Sequence, residues 1–116
     1  MSRKIRVLSP ESAMILRRFL DSPGDELHGF GIIRETGIRS STLYPALRAL
    51  AEERKLLTAR CEQIDSASHG RPPRRLYRLD AAAAPAAREA LAEHVEHERQ
   101  RDQPSPRSLR PKANEA

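Results

Sequence analysis

The sequence predicts a mainly α, α+β domain with the element order helix-helix-helix-strand-strand-helix. Three observations carry this reading. Apolar residues recur at helical spacing in three stretches between residues 9 and 53. From residue 57 the period shortens to two, on both sides of a loop rich in Ser, Asp, Gly and Pro. After residue 80 an Ala-rich stretch returns to the helical period.

The first helix opens on Ser9-Pro10-Glu11. Ser9 is a good N-cap, Pro10 fits the first helical position, and Glu11 meets the positive end of the helix dipole. Ala13, Leu16 and Leu20, flanked by Ile15 and Phe19, form its apolar side, and Asp21-Ser22-Pro23-Gly24-Asp25 stops it. A shorter second helix runs from His28 or Gly29 to Glu35, with Phe30, Ile32 and Ile33 as its buried side. His28 itself reads as a backbone-bonded structural residue. Gly37 then permits a left-handed turn. Ser40 or Ser41 is placed to cap a third helix, whose Leu43, Leu47 and Leu50 face the core while Thr42, Arg48, Ala49 and Glu52 face away. Pro45 is tolerated there if it lies close to the first turn.

Leu57, Ala59 and Cys61 alternate with Thr58, Arg60 and Glu62, the pattern of a half-buried strand. Residues 65–70 read as a loop, and Arg71-Pro72-Pro73-Arg74-Arg75 as a stiff, basic, extended tip. Leu76-Tyr77-Arg78-Leu79 returns as the second strand of a hairpin. Asp80 caps a last helix carrying Ala84, Ala87, Arg88, Leu91 and Val95 and ending near Glu98.

Composition narrows the class. The 116 residues suit one domain and carry a net charge of +5. Of the 21 basic residues only Lys4, Lys55 and Lys112 are lysine; arginine suits bidentate contacts to phosphate and guanine. Aromatics amount to 3%, so the core must come from Leu, Ile, Val and Ala, and such a thin core favours a partner subunit. No apolar run is long enough to span a bilayer and no secretory leader is visible, so a cytoplasmic, nucleoid-associated protein is expected. The single Cys61 fits a reducing compartment and reads as a small buried hydrophobe on its strand. No nucleophile-base triad, carboxylate pair or glycine-rich phosphate loop is evident, so no enzyme is expected. His94, His97 and Glu98 share helical spacing but fall short of a metal site, and neither metal nor cofactor is expected.

Two short helices joined by a glycine-containing turn form a helix-turn-helix unit. Arg39, Ser40, Ser41, Thr42, Tyr44, Pro45 and Arg48 line the leading part of its second helix, where small hydroxyls and the helix dipole suit phosphates and base edges. The hairpin tip adds Arg71, Arg74 and Arg75, then Arg78, with no acid from residue 67 to 79. Alone, the turn is an ordinary helical hairpin and the arginine run a solvated loop; together they point to double-stranded DNA. Two rivals are a module that binds acidic protein partners and a nonspecific RNA- or nucleoid-binding protein. Leu16, Ala84, Ala87, Leu91 and Val95 are the expected homodimer interface, the alternative being that the last helix packs on the chain's own first helix. The resulting division is a flexible arm at 1–6, a DNA-binding domain at 7–79, a dimerisation helix at 80–98 and a disordered basic tail at 99–116.

Leu27-His28-Gly29-Phe30-Gly31-Ile32, the run from Gly37 to Leu50 containing Thr42-Leu43-Tyr44-Pro45-Ala46-Leu47, and Gly70-Arg71-Pro72-Pro73-Arg74-Arg75-Leu76-Tyr77-Arg78-Leu79 resemble the PadR family of bacterial transcription regulators. The resemblance implies a winged helix-turn-helix fold and a homodimer joined by terminal helices, typically a repressor at a palindromic operator. It also implies that residues 40–53 enter the major groove, that Tyr44 lies near the phosphate backbone, and that Gly70-Arg71-Pro72 is the wing tip. Two departures stand out. The family's glycine after the recognition helix is replaced by Arg54 or Lys55, and its Leu-Thr-x-x-Gly reads Leu79-Asp80-Ala81-Ala82-Ala83. The short last helix matches the compact members of the family.

Overall fold

A computed structural model of the chain describes residues 7–102. Its elements are α1 (Pro10–Asp21), β1 (Leu27–His28), α2 (Gly29–Thr36), α3 (Ser40–Arg48), a π-helical turn (Ala49–Glu53), β2 (Leu57–Cys61), α4 (Ser66–His69), β3 (Arg75–Leu79), a 3-10 turn (Ala81–Ala83) and α5 (Ala84–Asp102). The arm at 1–6 and the part of the tail beyond 102 lie outside the described residues.

Helix α1 starts as its sequence dictates: Ser9 Oγ accepts the Ser12 amide at 3.1 Å and Pro10 opens the helix. Its buried side is Ala13, Ile15, Leu16 and Phe19, with Leu20 half-buried. Helix α2 is held to α1 by an ion pair, Arg18 Nε to Glu35 Oε1 at 2.8 Å. It ends at Gly37, whose φ of 78° is the left-handed conformation expected there, with its amide donating to the Ile33 carbonyl. Ile32 is buried and Ile33 half-buried, but Phe30 is 57% exposed, so it does not belong to the core as its spacing suggested.

Helix α3 buries Leu43 and Leu47, and the π-helical turn buries Leu50, which completes the expected stripe. Two details differ from expectation. Arg39, not Ser40 or Ser41, occupies the N-cap position, and no side chain caps the helix; Ser40 and Ser41 are its first two residues. Pro45 therefore sits in the second turn, where its missing N–H removes the bond to the Ser41 carbonyl. The helix closes through wider turns, the Arg54 amide donating to Ala49 O at 2.9 Å and the Leu56 amide to Leu50 O at 2.8 Å. Lys55, next in line, has φ 55°. It is one of the two positions, Arg54 or Lys55, at which the resemblance led a glycine to be expected.

The sheet has the order β1-β3-β2 and is antiparallel throughout. Leu57 pairs with Leu79 and Cys61 with Arg75, while Leu27 and His28 pair with Tyr77 and Leu76. Strand β1 escaped the sequence reading because two residues show no periodicity; it exists only because β3 offers a free edge. Cys61 is exposed rather than buried, since β2 leaves the core after Leu57 and Ala59. The loop at 65–70 contains a single helical turn, capped by Asp65 and closed by Gly70 at φ 67°.

Asp80 accepts the Ala82 amide and starts the 3-10 turn that leads into α5. Helix α5 packs on α1 and runs to Asp102, taking in the first four residues of the stretch at 99–116 expected to be a disordered tail. The pairs Glu96–Arg99 and Glu98–Arg101, each three residues apart, supply local support for that extra turn. Leu16 and Ala87, expected at a dimer interface, are fully buried inside this chain's own core and offer no surface to a second copy. His94, also buried, donates Nδ1–H to the Leu8 carbonyl at 2.8 Å and thereby ties α5 to the entry of α1.

Lys55 carries the only positive φ among described non-glycine residues. Lys55→Gly is expected to stabilise the protein by about 0.5–1 kcal/mol, because a left-handed L-residue costs more than the extra chain entropy of glycine. Urea unfolding measures it, and an unchanged or lower midpoint would contradict the strain.

Candidate nucleic-acid interface

The rotation of α3 is fixed by its leucines. With Leu43 and Leu47 inside, Ser40, Ser41, Thr42, Tyr44, Pro45 and Arg48 all face solvent, and Tyr44 remains 43% exposed. Arg39 is exposed just ahead of them. The first turn of the helix is thus open, with no side chain drawn across its amides.

Tyr44 leans back on α2. A Cβ placed on Gly29 would lie 2.9 Å from both Cζ and Oη of Tyr44 and closer still to Cε1. Glycine is required there for the ring to lie against the backbone. Immediately before it, His28 occupies the N-cap of α2, and its Nδ1 is 3.2 Å from the Gly31 amide, the backbone-bonded role read from the sequence. The same imidazole reaches the wing, with Nε2 3.3 Å from Arg74 Nη1. His28, Gly29, Phe30, Tyr44, Arg74, Arg75 and Tyr77 together line a cleft of about 210 Å³. Residues from α2, α3 and the hairpin, far apart in sequence, meet in one place.

The arginines of the hairpin are not equivalent. Arg71 forms a two-pronged ion pair with Glu62, at 2.7 Å and 3.2 Å, across the base of the tip. Glu62 also accepts the Arg74 amide at 3.1 Å, and its own amide donates to the Arg74 carbonyl at 2.7 Å. Arg71, expected on phosphate, is therefore neutralised by an acid nine residues earlier, which lay outside the acid-free run that the sequence displayed. Arg60 is likewise paired, with Glu26, at 2.6 Å and 2.7 Å. Arg75 lies over the Tyr77 ring, 5.7 Å from its centroid, and donates to Tyr77 Oη at 3.2 Å. The Arg74 side chain faces the cleft, with the His28 ring as its neighbour.

Charge shapes two titrations here. The guanidinium bonds of Arg71, helped by the Arg74 amide, hold the Glu62 carboxyl down at about 2. His28 is pushed below its ordinary value, first by desolvation and then by the charges of Arg74 and Arg71, with Glu62 opposing them. The ring is consequently neutral near pH 7. Among the described residues no cluster of three metal-ligating side chains occurs, and no helix is long and apolar enough to cross a membrane.

No model of a known protein family matches the sequence, and no curated protein does. Among solved structures, the fold is similar to a possible transcriptional regulator from Methanosarcina mazei Go1, with a TM-score of 0.58 and 16% identity over 81% of this chain and 72% of that one. It is also similar to the circadian clock associated protein Pex from Anabaena, with a TM-score of 0.54 and 19% identity over 79% and 80% of the two chains. The likeness is one of fold. With three helices, an antiparallel hairpin and a third short strand, this chain is a winged helix-turn-helix.

Two outcomes are expected from this geometry. Because the Glu62 carboxyl is depressed from 4.5 to about 2, its stabilisation of the hairpin is full above the unfolded value and is lost as pH falls through the folded one. Protection of the Glu62 and Arg74 amides against hydrogen exchange, taken relative to the intrinsic rate at each pH, should persist at pH 5 and fall only below about pH 4; protection already lost at pH 5 would break the assignment. Gly29→Ala is expected to push the Tyr44 ring off the α2 backbone, shifting its NMR ring signals, at a stability cost below about 1.5 kcal/mol because the ring can swing outward.

Proposed function

We propose that this chain is a sequence-specific DNA-binding regulator of transcription of the PadR type, acting as a homodimer on a palindromic operator and, as is typical of the resembled family, as a repressor. One observation carries the reading: Tyr44 of α3 and Arg74 and Arg75 of the hairpin line a single cleft. The open leading end of α3 and the basic wing consequently address the same side of the molecule. In this reading α3 lies in the major groove, with Arg39, Ser40, Ser41, Thr42, Pro45 and Arg48 against phosphates and base edges. Arg74 and Arg75 hold the adjoining backbone. That two solved structures share this fold, one of them a possible transcriptional regulator, agrees with the reading.

For the dimer, the surface that remains is the outer side of α5, with Val95 exposed and Ala84 and Leu91 half-buried, and not Leu16 or Ala87. Val95 is 44% exposed, an apolar side chain that a second copy would cover. On another side of α5, the groove toward Glu53 and Leu56 is lined by Glu53, Glu89, Glu93 and Glu96 against Arg54, so that side repels phosphate and belongs away from DNA. A dimer built on the Val95 strip would present two α3 helices one helical turn apart, ~34 Å, to successive major grooves. The protein would then reside with the chromosome in the cytoplasm.

Mobility shifts on upstream DNA and on random duplex, across a salt series, test the reading; equal affinity for both would favour nonspecific binding. Arg74→Ala is expected to weaken binding to every sequence and to lower the salt slope by about one. Replacing Glu62 and Arg71 together by glutamine, which removes no net charge, should leave that slope as it was. A slope unaltered by Arg74→Ala would remove the wing from the interface.

A further inference from the structure

The imidazole of His28 is approached by a donor on each side: the Gly31 amide at Nδ1, 3.2 Å, and the Arg74 guanidinium at Nε2, 3.3 Å. A neutral imidazole has one accepting nitrogen, so it can satisfy only one of them. The Gly31 amide is fixed in the first turn of α2 and has no other carbonyl to turn to, whereas a guanidinium swings freely. Nδ1 therefore accepts from Gly31, and Nε2 carries the proton. The consequence is that Nε2–H and the Nη1 of Arg74 face one another as two donors with no acceptor between them, at the wall of the cleft that Tyr44, Arg75 and Tyr77 also line.

We infer that this cleft binds one phosphate group, whose oxygen accepts simultaneously from His28 Nε2–H and from the Arg74 guanidinium. The inference rests on the DNA-binding reading for its physiological source, a backbone phosphate between the recognition helix and the wing. An anionic oxygen resolves the clash of donors, and the neighbouring charges suit it. Arg74 and Arg75 stand at the cleft, Arg71 and Glu62 cancel one another behind it, and Gly29 and Phe30 contribute no charge. Tyr44 and Tyr77 offer a phenol each.

A phosphate in this position also replaces the repulsion that His28 now feels from Arg74 and Arg71 by attraction. The second proton must go to Nδ1 and give up the Gly31 amide bond; phosphate lowers the cost of that exchange, so the imidazole gains a proton more readily in the complex than in the free protein. Free His28 lies below its ordinary range, so phosphate binding and proton uptake are linked. Affinity rises as pH falls through the interval between the free and the bound values, and flattens once both states are protonated.

The test follows the imidazole signals of the full chain by NMR from about pH 8 to pH 5, alone, with inorganic phosphate, and with a short duplex bound in a mobility shift. His28→Asn supplies the assignment and the control, since asparagine is a good N-cap and keeps α2 closed but does not titrate. The His28 titration should move upward with duplex, and duplex affinity should tighten by up to about tenfold per pH unit on acidification. In His28→Asn that excess should vanish while the melting temperature stays within a few degrees. A His28 titration indifferent to saturating duplex, or a pH dependence retained in His28→Asn, overturns the phosphate site and leaves the DNA reading intact. If no duplex binds, the DNA reading fails on its own. The inorganic-phosphate arm then decides the site, an upward shift of His28 alone among the histidines supporting it and no shift overturning it.

Discussion

Everything this molecule presents to a partner depends on which side of α3 is committed to the core. Leu43, Leu47 and Leu50 are almost completely excluded from solvent. At about 1.5–3 kcal/mol for each buried leucine, turning the helix would forfeit about 5–9 kcal/mol, on the order of the whole stability of a domain this size. The leucine stripe therefore dictates the outward direction of Ser41, Thr42, Tyr44 and Arg48 more firmly than any contact those residues make themselves. Pro45 is admissible for the same reason. Its missing hydrogen bond falls on the exposed side, where the freed Ser41 carbonyl can turn to water.

Around that fixed helix, two kinds of arginine are separated by tertiary pairing. Arg18, Arg60 and Arg71 spend their charge within the fold, on Glu35, Glu26 and Glu62. Each pair joins elements distant in sequence, so these arginines act as clasps: α1 to α2, the approach to β1 to β2, and one side of the hairpin to the other. Such exposed pairs add little stability singly; their effect is positional, since Arg71 held by Glu62 sets the shape of the tip from which Arg74 projects. His28 stands at the junction of both systems, capping α2 through one nitrogen and meeting the wing through the other.

The last helix illustrates how an apolar stripe can be read correctly and still be assigned to the wrong neighbour. Ala87 and Ala90 bury against the body, and α5 packs along α1. His94 then reaches Leu8, closing the two ends of the described chain on one another. What remains outside is a narrower strip around Leu91 and Val95, with Arg88, Glu98 and Arg99 one turn away along the helix. A small core of aliphatic side chains uses its alanines for close approach within the chain before offering anything to a second copy.

Local chemistry alone was enough to read several features from the sequence. The Ser9-Pro10 start of α1, the left-handed Gly37, the leucine stripe of α3, the period-two strands and the Asp80 cap each depend on residues within one or two turns of each other, and all occur as expected. Several outcomes that differed needed partners far along the chain. Whether Arg71 is free was decided by Glu62 across the hairpin, whether β1 exists by the edge of β3, and whether Leu16 and Ala87 are interface or core by the packing of α5 on α1. The cleft in which Tyr44, His28 and Arg74 meet appears in no local pattern either. Spacing along a chain fixes which side of a helix is apolar, but only the closed fold determines what that side, and each charge beside it, will touch.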